Sequence, residues 1–272
     1  MKSNTPTMRD LYVETHLELK QQGPGSYLDL DRFVDLSGAS KIAVLGCGTG
    51  EQVLLSLAQK TQAEIVGVDC FPAFIDAFNN NARKYNLQNR VKGIVGDMEN
   101  LPFQKEEFDY ICSEMPIAAV GFGKSMNFVK ALSNWSGFLK MGGYITIACP
   151  TWIDGSEETG YNSEERPEEI VQFWERAGVD LDTMEFNSTV MERLGYESLI
   201  MVAALPDEAW LEYFSARDAV IEKLIKKYSE NETIKEFAER AKYEVQLYSE
   251  HNYNDIDERY YGYVTYIGRK KY

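Results

Sequence analysis

Apolar residues in this chain come in short unbroken runs, each followed by a stretch with helical spacing. Lys41-Ile42-Ala43-Val44-Leu45 is the clearest run. Without polar alternation it predicts a parallel strand buried on both faces. It feeds into Gly46-Cys47-Gly48-Thr49-Gly50, and from Glu51 the apolar positions become helical (Val53, Leu54, Leu57, Ala58). Glu64 to Asp69, Val91 to Met98 and Phe108 to Glu114 read as further strands. Leu139 to Gly143 reads as a turn before a fifth strand, Tyr144 to Cys149. Helical patterns over 72–86 (Phe74, Phe78, Ala82) and 124–140 (Val129, Leu132, Leu139) fit crossovers packed on a sheet. Strands alternating with helices predict an open α/β layer architecture.

The flanks differ. Residues 8–22 read as a helix (Leu11, Val13, Leu17, Leu19) broken by Gly23-Pro24-Gly25, with a second helix from Ser26 through Val34. Residues 151–166 are polar and acidic and read as a loop beside the sheet, either an active-site flap or a plain solvent loop. Pro167 can start a helix from Glu168 to Ala177. Asn187 to Leu194 reads as another helix, and Tyr196 to Leu205 as the sixth strand. Two long helices follow, Pro206 to Tyr228 and Thr233 to about Glu250, and then a last strand of β-branched and aromatic residues, Tyr261 to Ile267. The expected organisation is an N-terminal helical cap (1–37), a core (38–205), a helical insertion or cap (206–259) and a last core strand (260–272). Tyr213, Tyr243 and Tyr248 could line a pocket there, although aromatics at helical spacing are more often core.

A strand, a glycine turn and a helix start together form a nucleotide-cofactor site. Asp69 ends the second strand, 19 residues after Gly50, where a carboxylate can accept ribose hydroxyls. Asp97 ends the third, placed to meet an adenine amino group. The glycine spacing is G-x-G-x-G, in place of the dinucleotide fingerprint G-x-G-x-x-G.

The order Gly46-Cys47-Gly48-Thr49-Gly50, Gly67-Val68-Asp69, Gly96-Asp97-Met98, Leu101-Pro102-Phe103, Phe108-Asp109 and Leu139-Lys140-Met141-Gly142-Gly143 resembles a class I S-adenosylmethionine-dependent methyltransferase. Within that family the chain is most similar to the bacterial small-molecule branch likened to ubiquinone/menaquinone C-methyltransferases. The likeness spans roughly residues 38 to 204. Gln22 to Ser26 and Tyr260 to Lys270 also look like a subgroup of uncharacterised bacterial members.

The resemblance implies a Rossmann-like, seven-stranded, mostly parallel sheet flanked by helices, with an antiparallel last strand inserted between the fifth and sixth. It implies S-adenosyl-L-methionine as cofactor and in-line methyl transfer to a small-molecule acceptor. Gly46, Gly48 and Gly50 would let the cofactor approach the backbone, with Cys47 and Gln52 beside them. Asp69 would hold the ribose and Asp97 the adenine amino group, with Cys70 and Met98 as apolar flanks and Ser113 at the end of the fourth strand. Glu114 is the catalytic candidate, as a base or as a contact for the cofactor's ammonium group. His16 shares a helix face with Tyr12 and is a second candidate base, although a lone histidine there more often faces solvent. Two positions depart from the family pattern. Val44 stands where an acid usually precedes the first glycine by two residues, and the 115–122 loop has few groups able to handle a proton.

Among the 272 residues, 28 are basic and 43 acidic, a net charge of −15. That disfavours nucleic acid or an anionic membrane as partner and mildly favours a neutral or cationic substrate. The N-terminus has no apolar signal core and no apolar run is long enough to span a membrane, so a cytoplasmic protein is expected. Cys47, Cys70, Cys112 and Cys149 fall at or near strand ends, without metal-ligand spacing, so no metal is expected. The C-terminal helices could form a homodimer surface. Two other readings are a non-catalytic S-adenosylmethionine or S-adenosylhomocysteine binder and a nicotinamide-dependent oxidoreductase. The glycine spacing and Asp97 count against the latter.

Overall fold

The computed structural model describes residues 5–27, 34–114, 127–153, 166–179, 181–202, 207–229, 231–252 and 260–271. Its strands are β1 (Lys41–Leu45), β2 (Glu64–Asp69), β3 (Val91–Val95), β4 (Phe108–Glu114), β5 (Leu139–Trp152), β6 (Tyr196–Val202) and β7 (Tyr261–Lys270). Its helices are α1 (Met8–Glu18), α2 (Glu51–Lys60), α3 (Pro72–Lys84), α4 (Phe128–Ser136), α5 (Glu168–Arg176), α6 (Met184–Arg193), α7 (Asp207–Lys227) and α8 (Glu232–Asn252).

The strands form one sheet in the order β3-β2-β1-β4-β5-β7-β6. β1 to β5 are parallel, and β7 runs antiparallel between β5 and β6, as the family resemblance implied. One face packs under α4, α5 and α6 through Phe128, Trp135, Ile170, Trp174 and Met191. The other packs under α2 and α3 through Leu54, Leu57, Ile75, Phe78 and Ala82. Phe78 lies over β2, where a Cβ on Gly67 would come within 2.5 Å of its ring. Gly67 therefore lets α3 sit close to the sheet.

Several boundaries moved for identifiable reasons. β5 begins at Leu139, where a turn was expected, because Leu139 already pairs with Phe108; a register shift and a left-handed Gly142 absorb the irregularity. β5 also outlasts Cys149, because β7 keeps pairing with it as far as Trp152↔Tyr261. α6 starts three residues early because the Thr183 hydroxyl caps it, accepting from the Phe186 N–H at 3.2 Å. α1 stops at Glu18, and Leu19 is extended. After it, Pro24–Tyr27 forms a 3-10 turn, and most of the expected second helix, 28–33, lies outside the described residues. So does most of the acidic loop, 154–165.

The N-terminal helix packs on α7 and the start of α8. Leu11 and Leu19 pack against Val220, Leu224 and Ile234. Ion pairs Lys223–Glu18 (2.8 Å) and Lys227–Glu14, with the Tyr228 hydroxyl donating to Glu14 (2.9 Å), tie α1 to α7 and the turn after it. Among the described residues no helix is long and apolar enough to cross a membrane.

Candidate functional site

β1 has β2 on one side and β4 on the other, so the strand order reverses at its edge. In open α/β sheets ligands bind outside the carboxyl ends of strands at such a switch point. Here that place holds the loop Gly46–Gly50. Its amides are fixed in sequence. Gly46 and Cys47 N–H donate to the Val68 carbonyl (2.8 and 3.0 Å), Gly48 N–H to Asp69 Oδ2 (3.0 Å), and Thr49 N–H to Gln22 Oε1 (2.7 Å). This path needs φ of +70° at Gly46, +50° at Gly48 and +67° at Gly50, conformations costly for a residue with a Cβ. Gly50 has a further role, as the N-cap of α2 packed on Phe78. A Cβ there would lie 2.3 Å from the ring, so its smallness serves helix packing.

Asp69 closes the loop onto β2. Its second oxygen accepts the Phe71 N–H at 3.0 Å. A carboxylate offers about four lone-pair sites, so capacity remains for a ligand. Burial raises its pKa above the usual carboxylate value.

A cavity of about 960 Å³ opens over the loop. Cys47, Asp69, Cys70, Met98, Ser113 and Glu114 line it together with Gly46, Gly48 and Gly50. The Ser113 hydroxyl donates to the Leu45 carbonyl (2.7 Å), pinning the end of β4 to β1. Asp97 is not brought into the lining. It is exposed, and its carboxylate accepts the Glu99 N–H (2.9 Å), closing its own turn. The Gln52 side chain and the 115–122 loop lie outside the described residues.

Glu114 ends β4, partly exposed at the cavity wall. The chain crosses it at Gly25, whose amide bonds the carboxylate; a Cβ on Gly25 would lie 2.4 Å from Glu114 Oε1. Burial pushes the Glu114 pKa up to about 7. Neither Glu114 nor Asp69 forms an ion pair among the described residues. Val44 sits in register between Gly67 and Cys112, buried in an apolar neighbourhood.

The opposite wall is built by the N- and C-terminal helices. His16 is 4% exposed, which overturns the expectation of a solvent-facing side chain. α7 covers it. His16 Nδ1 lies 2.8 Å from the Tyr12 carbonyl and Nε2 lies 3.1 Å from the Tyr213 hydroxyl. A carbonyl only accepts, so Nδ1 carries the proton and Nε2 accepts from Tyr213. Burial lowers the His16 pKa to about 4, so the ring is neutral at pH 7. Arg217, 5% exposed, donates to Glu244, to the Ala241 carbonyl (2.9 Å) and to the Tyr213 oxygen. Of the three tyrosines named as pocket candidates, Tyr213 and Tyr243 line the cavity. Tyr248 is core, stacked on Trp210 with centroids 5.0 Å apart.

Three residues were missed. Gln22 links the walls, donating to the His16 carbonyl (2.9 Å) while accepting from Thr49, and nothing in its sequence context signals that. Arg217 and Glu244 could have been suspected, because Arg217 interrupts the apolar stripe Phe214, Ile221, Leu224. Among the described residues no three His, Cys, Asp or Glu side chains are placed to hold a metal ion.

Residues 42–143 match the family described as "Methyltransferase domain". The chain is 32% identical over 78 residues to erythromycin 3''-O-methyltransferase of Saccharopolyspora erythraea, covering 29% of this chain and 26% of that protein. It is 29% identical over 115 residues to demethylmenaquinone methyltransferase of Staphylococcus saprophyticus, covering 41% and 45%. These matches thus span about a quarter and under half of the relatives' own lengths. A Geobacter sulfurreducens S-adenosylmethionine-dependent methyltransferase, solved with S-adenosyl-L-homocysteine, shares the fold over 95% of this chain and 96% of its own, at TM-score 0.74 and 17% identity. The chain thus resembles a methyltransferase domain over residues 42–143 and shares the fold of the Geobacter protein.

Proposed function

We propose that this chain is an S-adenosylmethionine-dependent methyltransferase that acts on a small-molecule acceptor. One observation carries the reading. Two cavity-facing carboxylates, Asp69 and Glu114, flank a left-handed glycine loop at the switch point, with no ion pair among the described residues. A buried carboxylate without a cation is costly, and a ligand with a sugar diol and an ammonium group supplies what both lack. The methyltransferase-domain match over 42–143 supports the same reading.

In this reading a ribose hydroxyl bonds the lone pair that Asp69 has left beside the Gly48, Phe71 and Cys70 amides. The ammonium group meets Glu114, which takes over from the acid that Val44 replaces. Cys70 and Met98 flank the base, and Asp97 reaches its amino group from the rim after turning away from Glu99. When bound, the cofactor supplies a methyl group on a positively charged sulfur, already activated for in-line displacement. The chain's work is then to align the acceptor and exclude water. Gln22 and Gly25 help by holding the N-terminal segment against the glycine loop and Glu114. The two relatives' names refer to methylation of small molecules, and the −15 net charge argues against a nucleic-acid acceptor.

The test is transfer of tritium from methyl-labelled S-adenosylmethionine to a panel of small hydroxy, amino and thiol compounds. Labelled product from at least one class, lost in Asp69→Ala, is expected. Binding of the cofactor with no product from any class would contradict catalysis.

A further inference from the structure

The wall facing the glycine loop carries a polar chain through three helices, from His16 on α1 to Tyr213 and Arg217 on α7 and Glu244 on α8. All four residues line the cavity. Chemistry fixes the direction of each bond. Arginine can only donate, so the Tyr213 oxygen accepts from Arg217. His16 Nδ1–H is held by the Tyr12 carbonyl, so Nε2 has no hydrogen and takes that of the Tyr213 hydroxyl. The low His16 pKa keeps this arrangement at neutral pH. Tyr213 therefore has no hydrogen to offer the cavity. One lone pair on its oxygen remains, beside a cation that makes nearby hydrogen-bond donors more acidic.

The surroundings of that lone pair are aromatic. Tyr12, its ring tilted against His16 with centroids 4.0 Å apart, and Phe173, Trp210 and Tyr243 contribute to the same lining. Tyr12 also feels the charge of Asp69, which places this wall next to the proposed ribose site.

We infer that Tyr213 recognises the proton-bearing nucleophile of the acceptor, a hydroxyl or amine on a ring-sized planar molecule, and that His16 and Arg217 are positioning residues that aim its oxygen. The inference rests on the methyltransferase reading and deepens it. His16, expected as a base, is reassigned, because its one basic nitrogen is already engaged by Tyr213.

The test uses the full chain saturated with S-adenosylhomocysteine and three probes sharing one ring and substitution pattern: catechol, 1,2-diaminobenzene and 1,2-dimethoxybenzene. Affinities are read by ligand-observed NMR titration. Catechol or the diamine should bind at least about tenfold tighter than the dimethoxy compound, which has no hydrogen to donate. The better of the two names the nucleophile. In Tyr213→Phe the preference should fall to within about twofold, with affinity for S-adenosylhomocysteine unchanged. His16→Gln should reduce the preference too, which loss of packing alone would not do, and it gives a second reading should Tyr213→Phe fail to fold. Equal binding of the three probes, no binding by any, or a preference that survives these substitutions would overturn the assignment. Failure to bind S-adenosylhomocysteine at the outset would instead sink the methyltransferase reading.

Discussion

Glu114 gives the sharpest quantitative expectation. With a pKa of about 7, it is about one-tenth ionised at pH 6 and about nine-tenths at pH 8. A ligand ammonium group prefers the ionised form. Affinity for S-adenosylhomocysteine should therefore rise about ninefold from pH 6 to pH 8, or roughly 1.3 kcal/mol. Binding at pH 6 should also release close to one proton, because the ammonium pulls the Glu114 pKa down. Titration calorimetry in two buffers of different ionisation enthalpy counts that proton. Glu114→Gln should abolish both the slope and the release. The same group has the opposite effect on the empty protein. Its folded pKa lies above the unfolded value of 4.5, so its stabilising contribution is full below about pH 4.5 and lost as pH rises through 7. The loss is at most about 3 kcal/mol, and Glu114→Gln should raise the melting temperature at pH 8 without ligand. An affinity that is flat from pH 6 to 8 in the wild type, or an equal slope in Glu114→Gln, would refute the reasoning.

His16 should leave an acid-side signature. Its folded pKa of about 4 lies below the unfolded 6.5, so stability falls as pH drops from 6.5 towards 4, by up to roughly 3 kcal/mol. Urea midpoints at pH 7 and 4.5 should differ less in His16→Gln than in the wild type. Gly67→Ala places a Cβ 2.5 Å from Phe78 and 2.9 Å from Cys47 Sγ, and should cost about 1–3 kcal/mol by thermal melts. Gln22→Ala removes the acceptor of Thr49 N–H and should weaken S-adenosylhomocysteine about fivefold, roughly 1 kcal/mol, read by calorimetry at pH 7.5.

The sheet was largely legible because its signals are local. The runs 41–45 and 64–69 cannot alternate, since both faces are buried, and the glycines and Asp69 follow them at strand ends. Even the antiparallel β7 could be placed, through the family resemblance. Boundaries moved where pairing or capping by distant residues decided them, as with the extension of β5 by β7 and the Thr183 cap of α6. The cavity's outer wall was illegible for a related reason. His16 meets Tyr213 across 197 positions, and a histidine on a weakly amphipathic helix gives no hint that α7 will cover it. Asp97 shows the converse. Its place at a strand end is as expected, yet its side chain serves its own turn.

The central claim is the cofactor site, and one calorimetric comparison tests it most directly. S-Adenosylmethionine, S-adenosylhomocysteine and NAD are titrated into wild-type protein and Asp69→Ala. The expected result is micromolar binding of both adenosyl ligands to the wild type, no binding of NAD, and loss of both adenosyl ligands in the variant. Binding of NAD in their place, or adenosyl binding that survives Asp69→Ala, would contradict the site described here.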